Sequence, residues 1–433
     1  MVDTQDIEST RWKDLDPLLL RPGNIVGPGF EPGEEVKEIL HNYIHVLVIG
    51  AGGLGCELLK DLALSGFKKI DVIDMDTIDV SNLNRQFLFR MCDVGKSKAI
   101  VAAERVMARV AGAQVTPHFC RIEDKPPEWY QDFHIIVLGL DSLEARSWIN
   151  GVVCSFLEYD DEGHAVQETM KPMVDGGTEG FKGHARVILP GLTPCFHCTL
   201  WLFPPQTTFP LCTLAETPRS SAHCIEWAHL IHWGAVRHGE TFDADNPEHM
   251  KWVYEQALVR ADMFNIPGVT LQHTQGVVKN IIPAIPSTNA IVAAACVLET
   301  LKMATMCSTG MSNYTMYVGT SGIYTHTVAY EKDSECMVCS AGVPIQAEDS
   351  ANLQQVLDLL IDKFSSKLEK PSISYQGRNL YMRGIFEEET KHNLSLPMKE
   401  LMDGASSGVC IVNDKKLQGP LRVRIILKSA MEE

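Results

Sequence analysis

The sequence predicts an α/β protein: a doubly wound parallel sheet that binds a nucleotide, with a helical segment inserted in it and a small α+β domain after it. Residues 46–49 form a short apolar run that leads directly into a glycine loop, as a buried strand does before a phosphate-binding turn. Residues 134–140 (HIIVLGL) form a second apolar run, typical of a central parallel strand buried on both faces. From about Ala347 onward, an amphipathic helix and short strands predict the separate α+β domain.

The glycine loop has the sequence GAGGLG, with glycines at Gly50, Gly52, Gly53 and Gly55. Glycines let the backbone approach a phosphate, and the helix that follows offers unpaired N–H groups and positive potential. The next predicted strand, residues 70–73, ends on Asp74 and Asp76, 24 and 26 residues after Gly50. A ribose-binding carboxylate is expected about 20 residues after the loop. The pattern predicts a Rossmann-like site for an adenine nucleotide; the alternative is a flavodoxin-like core whose glycines only turn the chain.

The segment after Asp76 carries more polar side chains than a dinucleotide site needs, because a pyrophosphate is held by backbone amides. It contributes two amides and two cations: Asn82, Gln86, Arg85 and Lys98. Such a set suits a triphosphate, whose charge must be neutralised while an outside group attacks it. The sequence therefore favours ATP over a redox dinucleotide.

A carboxylate follows the second apolar run, at Asp141. Because this position is the carboxyl end of a predicted parallel strand, Asp141 is expected over the nucleotide crevice. In the alternative interpretation Asp141 is the N-cap of the next helix, SLEARSWIN. The two interpretations are compatible.

Cysteine usage indicates a metal site and a reducing compartment. The chain has 13 cysteines, and four of them form two CxxC pairs: Cys195 with Cys198, and Cys336 with Cys339. Two such pairs suit a structural Zn²⁺ with four thiolate ligands, whereas a redox motif or unrelated surface thiols are the alternatives. His197 lies inside the first pair and is interpreted as a bystander. An odd cysteine count used in this way favours the cytosol or nucleus.

Composition excludes several other classes. The chain has 433 residues, 45% hydrophobic and 21% charged, enough for two or three domains with sizeable cores. A net charge of −17 argues against a nucleic-acid partner and favours basic protein surfaces. No apolar run reaches the roughly 18 residues of a membrane span, and the polar start MVDTQDIEST predicts no signal peptide.

A second candidate for chemistry is Cys212, in the segment PLCTLAETP at 210–218. Prolines on both sides keep this segment out of regular structure and could present the sulfur on a loop. A lone cysteine is more often a small buried apolar residue, so this alternative stays open at this point. Arg219 and His223 lie nearby in sequence and could favour a thiolate, and the neighbouring Cys224 must be included in any mutational test.

The predicted domains follow from these features. Residues 1–199 form the first part of the nucleotide domain, with an acidic crossover at about 154–172, and residues 200–284 form a helical insert. Residues 285–346 return to the nucleotide domain, where Ser287, Thr288 or Asn289 could cap a helix of small residues. Residues 347–433 form the small α+β domain.

At this point the chain resembles a known family. The segment DMDTIDVSNLNRQFLF (74–89) is similar to the adenylation site of ubiquitin-like-protein activating enzymes and their bacterial sulfur-carrier-adenylating relatives. The motif around Cys212 is similar to the family's active-cysteine signature, and the order of all the motifs is the same. The resemblance implies an adenylation domain with an inserted catalytic-cysteine domain, followed by a ubiquitin-like (β-grasp) domain that recruits a conjugating enzyme.

The resemblance also implies a role for each polar residue. Asp74 or Asp76 would hold the ribose, Arg85 and Lys98 the phosphates, and Asn82 and Gln86 would line the same pocket, while Asp141 would coordinate Mg²⁺ and Cys212 would carry a thioester. The modifier's C-terminal glycine would be adenylated, passed to Cys212 and handed to the conjugating enzyme.

Only one nucleotide-binding repeat is present, and this points to the neddylation branch of the family. The resemblance then implies a non-catalytic partner subunit in a heterodimer. It also makes Arg186 a candidate for modifier specificity, because a fixed cation would repel an arginine in ubiquitin's tail. The alternative is an ordinary exposed strand arginine.

Other functions remain possible. A subunit for another modifier, SUMO or ubiquitin, shares much of this layout. A nicotinamide-dependent oxidoreductase shares the glycine loop, but does not explain PLCTLAETP or NRQFLF. A non-catalytic scaffold would require a degenerate site, whereas every expected polar residue is present.

Overall fold

In the computed structural model, the chain divides into two compact units, one formed by Met1–Leu202 with Ile285–Glu433 and the other by Phe203–Ala284. The structure describes residues 11–23, 26–160, 163–203, 218–244, 246–278, 284–308, 310, 312–334, 336–365, 368–375, 377–384, 387–417 and 421–428. Among the helices of these ranges, none is both long enough and apolar enough to cross a bilayer.

The larger unit contains an eight-stranded sheet with the order β3-β2-β1-β4-β5-β6-β7-β8. The strands are β1 (His45–Ile49), β2 (Lys69–Ile73), β3 (Gln114–His118), β4 (Ile135–Leu138), β5 (Met173–Glu179), β6 (Lys182–Ile188), β7 (Tyr314–Val318) and β8 (Tyr324–Val328). Strands β3, β2, β1, β4 and β5 are parallel, and β6, β7 and β8 continue the sheet in antiparallel pairs. The parallel part confirms the predicted doubly wound core.

Helices cover the parallel strands because the buried residues of β1 and β4 are apolar, and those of β2 are apolar except for Asp71, which bonds to His45 and His118. The helices of this part are Asp16–Leu19, Glu34–Glu38, Gly53–Leu64, Lys98–Arg109, Leu143–Ser155 and Pro286–Thr305. Side chains of Gly53–Leu64 and Pro286–Thr305 share one core with Val46 and Val48 of β1. Burial of this apolar surface is the main stabilising contribution to the domain.

Two helix starts differ from the sequence-based interpretation. Ser142, not Asp141, caps helix Leu143–Ser155, because its hydroxyl accepts a hydrogen bond from the backbone N–H of Ala145 at 3.1 Å. The N-cap interpretation of Asp141 is therefore wrong. Helix Pro286–Thr305 begins after Ile285 with no side-chain cap, so the suggested cap at residues 287–289 is also wrong. A proline in the first turn sets the backbone there instead.

The acidic crossover is anchored at Tyr159 and Asp160. Tyr159 and Ala165 form an isolated β-bridge. The hydroxyl of Tyr159 donates to the backbone carbonyl of Cys339 at 2.5 Å, and Arg424 donates to the carbonyl of Asp160 at 2.7 Å. These bonds tie the crossover to the second CxxC and to the C-terminal domain within one unit.

The smaller unit is helical where the structure describes it. Its α-helices are Ser221–Glu226, Trp233–Val236, Pro247–Met263 and Leu271–Val278. They enclose an apolar core that includes Cys224, Ile225, Trp233 and Val253. Residues 204–217, and with them Cys212, lie outside the described residues.

The C-terminal part of the larger unit is a five-stranded sheet with the order β11-β10-β12-β13-β9. Its strands are β9 (Val343–Glu348), β10 (Ser372–Tyr375), β11 (Arg378–Tyr381), β12 (Ser407–Asn413) and β13 (Leu421–Lys428), and its helices are Leu353–Lys363, Glu387–Thr390 and Met398–Leu401. The first and last strands are parallel, and the other pairs are antiparallel. Leu353, Val356 and Leu360 pack the long helix on this sheet, as expected for an α+β domain of the β-grasp type.

Candidate functional site

Two glycines of the loop after β1 are required by close packing. Gly50 has φ +95°, and a Cβ on it would lie 2.7 Å from the carbonyl oxygen of Gly139, at the end of β4. A Cβ on Gly55 would lie 1.9 Å from the carbonyl oxygen of Gly50. Any side chain at either position would push the loop helix away from the sheet.

Gly52 leaves space on the other side of the loop. The nearest atom to a Cβ built on Gly52 is Nε2 of Gln86 at 3.9 Å, so this position faces open space. Gly52 is also the N-cap of helix Gly53–Leu64 and provides no side-chain cap for the first N–H groups. Uncapped N–H groups at an open glycine form a suitable cradle for a phosphate.

Asp74 and Asp76 have different partners at the end of β2. The two carboxylate oxygens of Asp74 accept backbone N–H bonds from Ala51 and from Asp76, each at 2.7 Å. Burial raises the pKa of Asp74 above its usual value, although both N–H donors oppose this effect. Asp76 is more exposed and forms an ion pair of 2.8 Å with Nζ of Lys98. Asp74 therefore braces the glycine loop, whereas Asp76 orients Lys98.

The segment after β2 brings its amides and its arginine to the same edge. Asn82 accepts the backbone N–H of Asp79 at 3.0 Å and so shapes the turn. Arg85 donates to the carbonyl of Ser81 and to the side chain of Asn84. Gln86 is 3% exposed, and among the described residues its Oε1 has no hydrogen-bond partner. A buried polar atom beside the open Gly52 fits a ligand group that hydrogen-bonds there.

Asp141 lies at the same edge, just after β4. Because Ser142 performs the capping, the carboxylate of Asp141 is not used by the helix and is exposed to solvent. One carboxylate together with substrate phosphates is a common donor set for Mg²⁺. The residues present therefore fit a magnesium ion brought in with a nucleotide.

A buried ionic cluster lies beneath this edge, and the sequence interpretation did not foresee it. Asp175 of β5 is fully buried between Arg146 and Arg186, which are 5% and 3% exposed. The two arginines hold the pKa of Asp175 well below its usual range, against the effect of burial. The sequence did contain a signal for this cluster: each of the apolar runs MVDGG and HARVILP includes one charged residue. A charge buried in such a run must be paired.

The position of Arg186 bears on its predicted role. Arg186 stacks on the ring of Phe196 at 4.8 Å and donates to the hydroxyl of Thr199 at 2.8 Å, in addition to its bonds with Asp175. The alternative of an exposed strand arginine is therefore wrong. Selection of the modifier by Arg186 stays a prediction, and in this structure the guanidinium is covered and paired.

The four cysteines of the CxxC pairs come together. Their sulfur atoms lie within 4.8 Å of one another, with separations of 3.4 Å between Cys198 and Cys339 and 3.7 Å between Cys195 and Cys336. A Zn–S bond of about 2.3 Å places tetrahedral sulfurs about 3.8 Å apart. The cluster thus fits Zn²⁺. His197 bonds to the hydroxyl of Ser147 at 2.8 Å and is not part of the four-cysteine cluster.

The structure thus assembles the nucleotide residues at one edge and the cysteine cluster elsewhere in the larger unit. Cys212 lies outside the described residues. The neighbouring Cys224 is fully buried in the core of the helical unit, and burial raises the pKa of its thiol. A buried thiol with a raised pKa is a poor nucleophile, so Cys224 is a core residue.

Comparison with known proteins agrees with this geometry. Residues 29–338 match the ThiF family, and residues 346–427 match the E2 binding domain. A NEDD8-activating enzyme E1 catalytic subunit from Arabidopsis thaliana is 56% identical over 98% of this chain and 95% of its own length. Proteins of the same name from Dictyostelium discoideum and Caenorhabditis elegans are 49% and 48% identical, over 96% and 99% of this chain and 97% and 100% of their own lengths.

A ThiF match over more than half of the sequence, together with such relatives over nearly its full length, identifies the family. The chain belongs to the ThiF family and, within it, to the family of NEDD8-activating enzyme E1 catalytic subunits.

Proposed function

We propose that this chain activates a ubiquitin-like modifier of the NEDD8 type in an ATP-dependent reaction. The observation that carries the proposal is the edge of the sheet at Gly52, where an uncapped helix start and the buried Gln86 amide border open space. Just after β2, Asp76 holds the ammonium of Lys98 by an ion pair. This arrangement suits a triphosphate, and the names of the family's members supply the modifier. The family also argues against the oxidoreductase alternative.

The reaction begins with attack of the modifier's C-terminal carboxylate on the α-phosphate of ATP. A bond forms between the carboxylate oxygen and phosphorus, and pyrophosphate leaves. Arg85 and Lys98 offset the negative charge that moves onto the phosphates. A magnesium ion held by Asp141 would supply further charge neutralisation when bound.

Lys98 reaches this role through Asp76. Its ammonium is 2.8 Å from the Asp76 carboxylate and is largely buried, so its position is fixed before a nucleotide binds. A cation that is already fixed needs little reorganisation when negative charge develops nearby. Asp74, which is bonded to the glycine loop, is our choice for the carboxylate nearest the ribose.

The second step transfers the acyl group to Cys212. The thiolate attacks the carbonyl carbon of the adenylate, a thioester forms and AMP leaves. The thioester then exchanges onto a cysteine of the conjugating enzyme. The sequence PLCTLAETP supports the choice of Cys212, and the burial of Cys224 removes its nearest competitor.

The larger unit also supports a structural zinc ion and the recruitment of the conjugating enzyme. Zn²⁺ at the four cysteines would cross-link the segments before and after the helical unit. In the C-terminal domain, a groove of about 600 Å³ lies between the edge strand β9 and helix Leu353–Lys363. Its lining includes three carboxylates and one ammonium, from Glu348, Asp358, Asp362 and Lys428, beside the apolar Leu359. We propose that a basic face of the conjugating enzyme docks there.

A non-catalytic partner subunit completes the proposed enzyme, since this chain has a single nucleotide-binding repeat. The test combines the chain with its partner subunit, MgATP and labelled modifiers. We expect a reductant-sensitive adduct that is lost in Cys212→Ala and kept in Cys224→Ala. Modifier-dependent exchange of pyrophosphate into ATP separates the enzyme from a scaffold. No adduct with NEDD8, SUMO or ubiquitin would refute the proposal.

A further inference from the structure

The carboxylate of Asp175 is shared between two arginines that come from different elements. Its Oδ1 accepts from Nε of Arg146 at 2.9 Å, and its Oδ2 accepts from Nε and Nη2 of Arg186 at 2.8 and 2.5 Å. Arg146 belongs to helix Leu143–Ser155, and Arg186 belongs to β6. One buried anion therefore fixes both guanidinium groups.

Arg146 continues this network toward the nucleotide edge. Its Nη2 donates to the carbonyl of Leu140 at 2.6 Å and to the carbonyl of Gly176 at 2.9 Å. Leu140 directly precedes Asp141. The guanidinium thus joins the end of β4 to β5 and holds the peptide from which Asp141 projects.

We propose that Arg146, oriented by Asp175, is a positioning residue for Asp141. Arg146 fixes the Leu140 carbonyl, and this bond sets the direction in which the Asp141 carboxylate enters the nucleotide edge. The inference rests on the proposed function and adds a residue that the reaction depends on without touching the substrate. Such outer residues matter because Mg²⁺ requires oxygen ligands at about 2.0–2.1 Å in near-octahedral geometry.

A purely structural ion pair is the competing explanation, and the number of bonds distinguishes the two. Arg146 uses two nitrogens on three acceptors, and a planar guanidinium can aim at all of them at once. A lysine ammonium keeps the charge beside Asp175 but is a single point donor on a flexible stem. Arg146→Lys therefore removes positioning while it retains the buried charge balance.

The test measures modifier-dependent pyrophosphate exchange by the assembled complex across a Mg²⁺ titration. For Arg146→Lys we expect the Mg²⁺ concentration at half-maximal exchange to rise about 10-fold, as for other outer-shell substitutions. The half-saturating modifier concentration should stay close to that of the wild type. Hydrogen exchange of residues 139–145, measured without nucleotide or Mg²⁺, should be faster in the variant.

The control is Arg105→Lys. Arg105 lies in another helix, Lys98–Arg109, where it is half exposed and forms an ion pair of 3.0 Å with Asp93. This substitution should change neither readout. If Arg146→Lys does not fold, Arg146→Gln provides the same measurement, because Asp175 stays paired with Arg186 at 2.5 Å.

Two unchanged readouts, the Mg²⁺ midpoint and the hydrogen exchange of residues 139–145, would overturn the proposal even if total activity fell. A wild-type complex that shows no modifier-dependent pyrophosphate exchange would refute the proposed function instead. The hydrogen-exchange comparison would still decide whether Arg146 holds the turn.

Discussion

At the scale of the residue, Arg186 combines a proposed recognition role with a structural one. We expect Arg186→Gln to lower discrimination against ubiquitin, because the cation that would repel an arginine is lost. The same change removes two charge-assisted bonds to Asp175, and should cost about 2–4 kcal/mol of unfolding free energy while Arg146 remains. Competition between ubiquitin and the NEDD8-type modifier in adduct formation, with urea unfolding alongside, measures both.

Arg186→Lys is the control for charge alone and should keep most of the discrimination. An Arg186→Gln complex that still rejects ubiquitin as strongly as the wild type would show that Arg186 does not select the modifier. A large loss of stability without any change in selection would leave only its structural role with Asp175.

Two glycines of the loop provide a matched pair of substitutions. Gly52→Ala places a methyl group in open space, so we expect an unchanged melting temperature. Because the methyl group occupies the phosphate cradle, the rate of pyrophosphate exchange should be at least about 10-fold lower. Gly55→Ala places the methyl 1.9 Å from the carbonyl of Gly50 and should impair folding itself. Thermal unfolding and nucleotide binding separate the two. Full nucleotide affinity in Gly52→Ala would exclude this cradle.

At the scale of the element, the two CxxC loops act together. Cys198→Ser should lower the zinc content, determined by metal analysis of the purified chain, from one ion to a substoichiometric amount. If the free zinc concentration is about 100 times the dissociation constant, loss of zinc lowers the free energy of unfolding by about 3 kcal/mol. Cys92→Ser is the control, because Cys92 is exposed and far in sequence from both CxxC pairs. Undiminished zinc in Cys198→Ser would contradict the four-thiolate site.

The groove beside β9 makes its own prediction. Reversal of two charges, Asp358→Lys with Asp362→Lys, should slow transfer to the conjugating enzyme at least about 10-fold, because basic side chains would meet like charge. The adduct on Cys212 should form normally. Glu388→Lys, on an exposed side chain of the same domain, is the matched control. Normal transfer by the double variant would exclude this groove as the docking face.

The elements that could be predicted from the sequence are those with local signals. Strand β1, the glycine loop and the helix that follows the loop were predictable because apolar runs and glycine turns are short-range features. The cysteine cluster was predictable because CxxC spacing is itself a chelating pattern. The partnership of Asp175 with Arg146 was not, since sheet register and a helix bring together residues 29 positions apart.

At the scale of the whole molecule, one buried and two partly buried histidines make stability depend on pH. Burial lowers the pKa of His41, His134 and His184 below the usual 6.5. Around His184, Asp175 opposes this shift, whereas Arg186 and Arg146 add to it. A lowered folded-state pKa means that the unfolded chain binds the proton more readily. The stabilising contribution is therefore complete above about pH 6.5 and decreases as the pH falls below it.

Urea unfolding at several pH values between about 7.5 and 5.5 should show this decrease. Asp175 stays ionised throughout that window, because its pKa lies well below its usual range. His184→Gln should flatten the curve. A stability that is constant across the window would contradict buried neutral histidines.

The large-scale organisation of the chain could be predicted only in part from the sequence. The change of composition after about Ala347 indicated the C-terminal domain, and residues 346–427 match a known binding domain. The anchoring of the crossover by Tyr159 and Arg424 was not predictable, since it depends on carbonyl groups that any residue provides.

The spacing of the two cysteine pairs has a consequence for how the chain is made. Cys336 is 138 residues beyond Cys198, and β7 and β8 lie in the same late part of the sequence. At about 5–20 residues per second, the ribosome needs roughly 7–28 s to span this interval. During that time the first pair of thiols has no second pair, and β6 has no β7 beside it. The sheet and the four-cysteine cluster can be completed only after the helical unit has been synthesised.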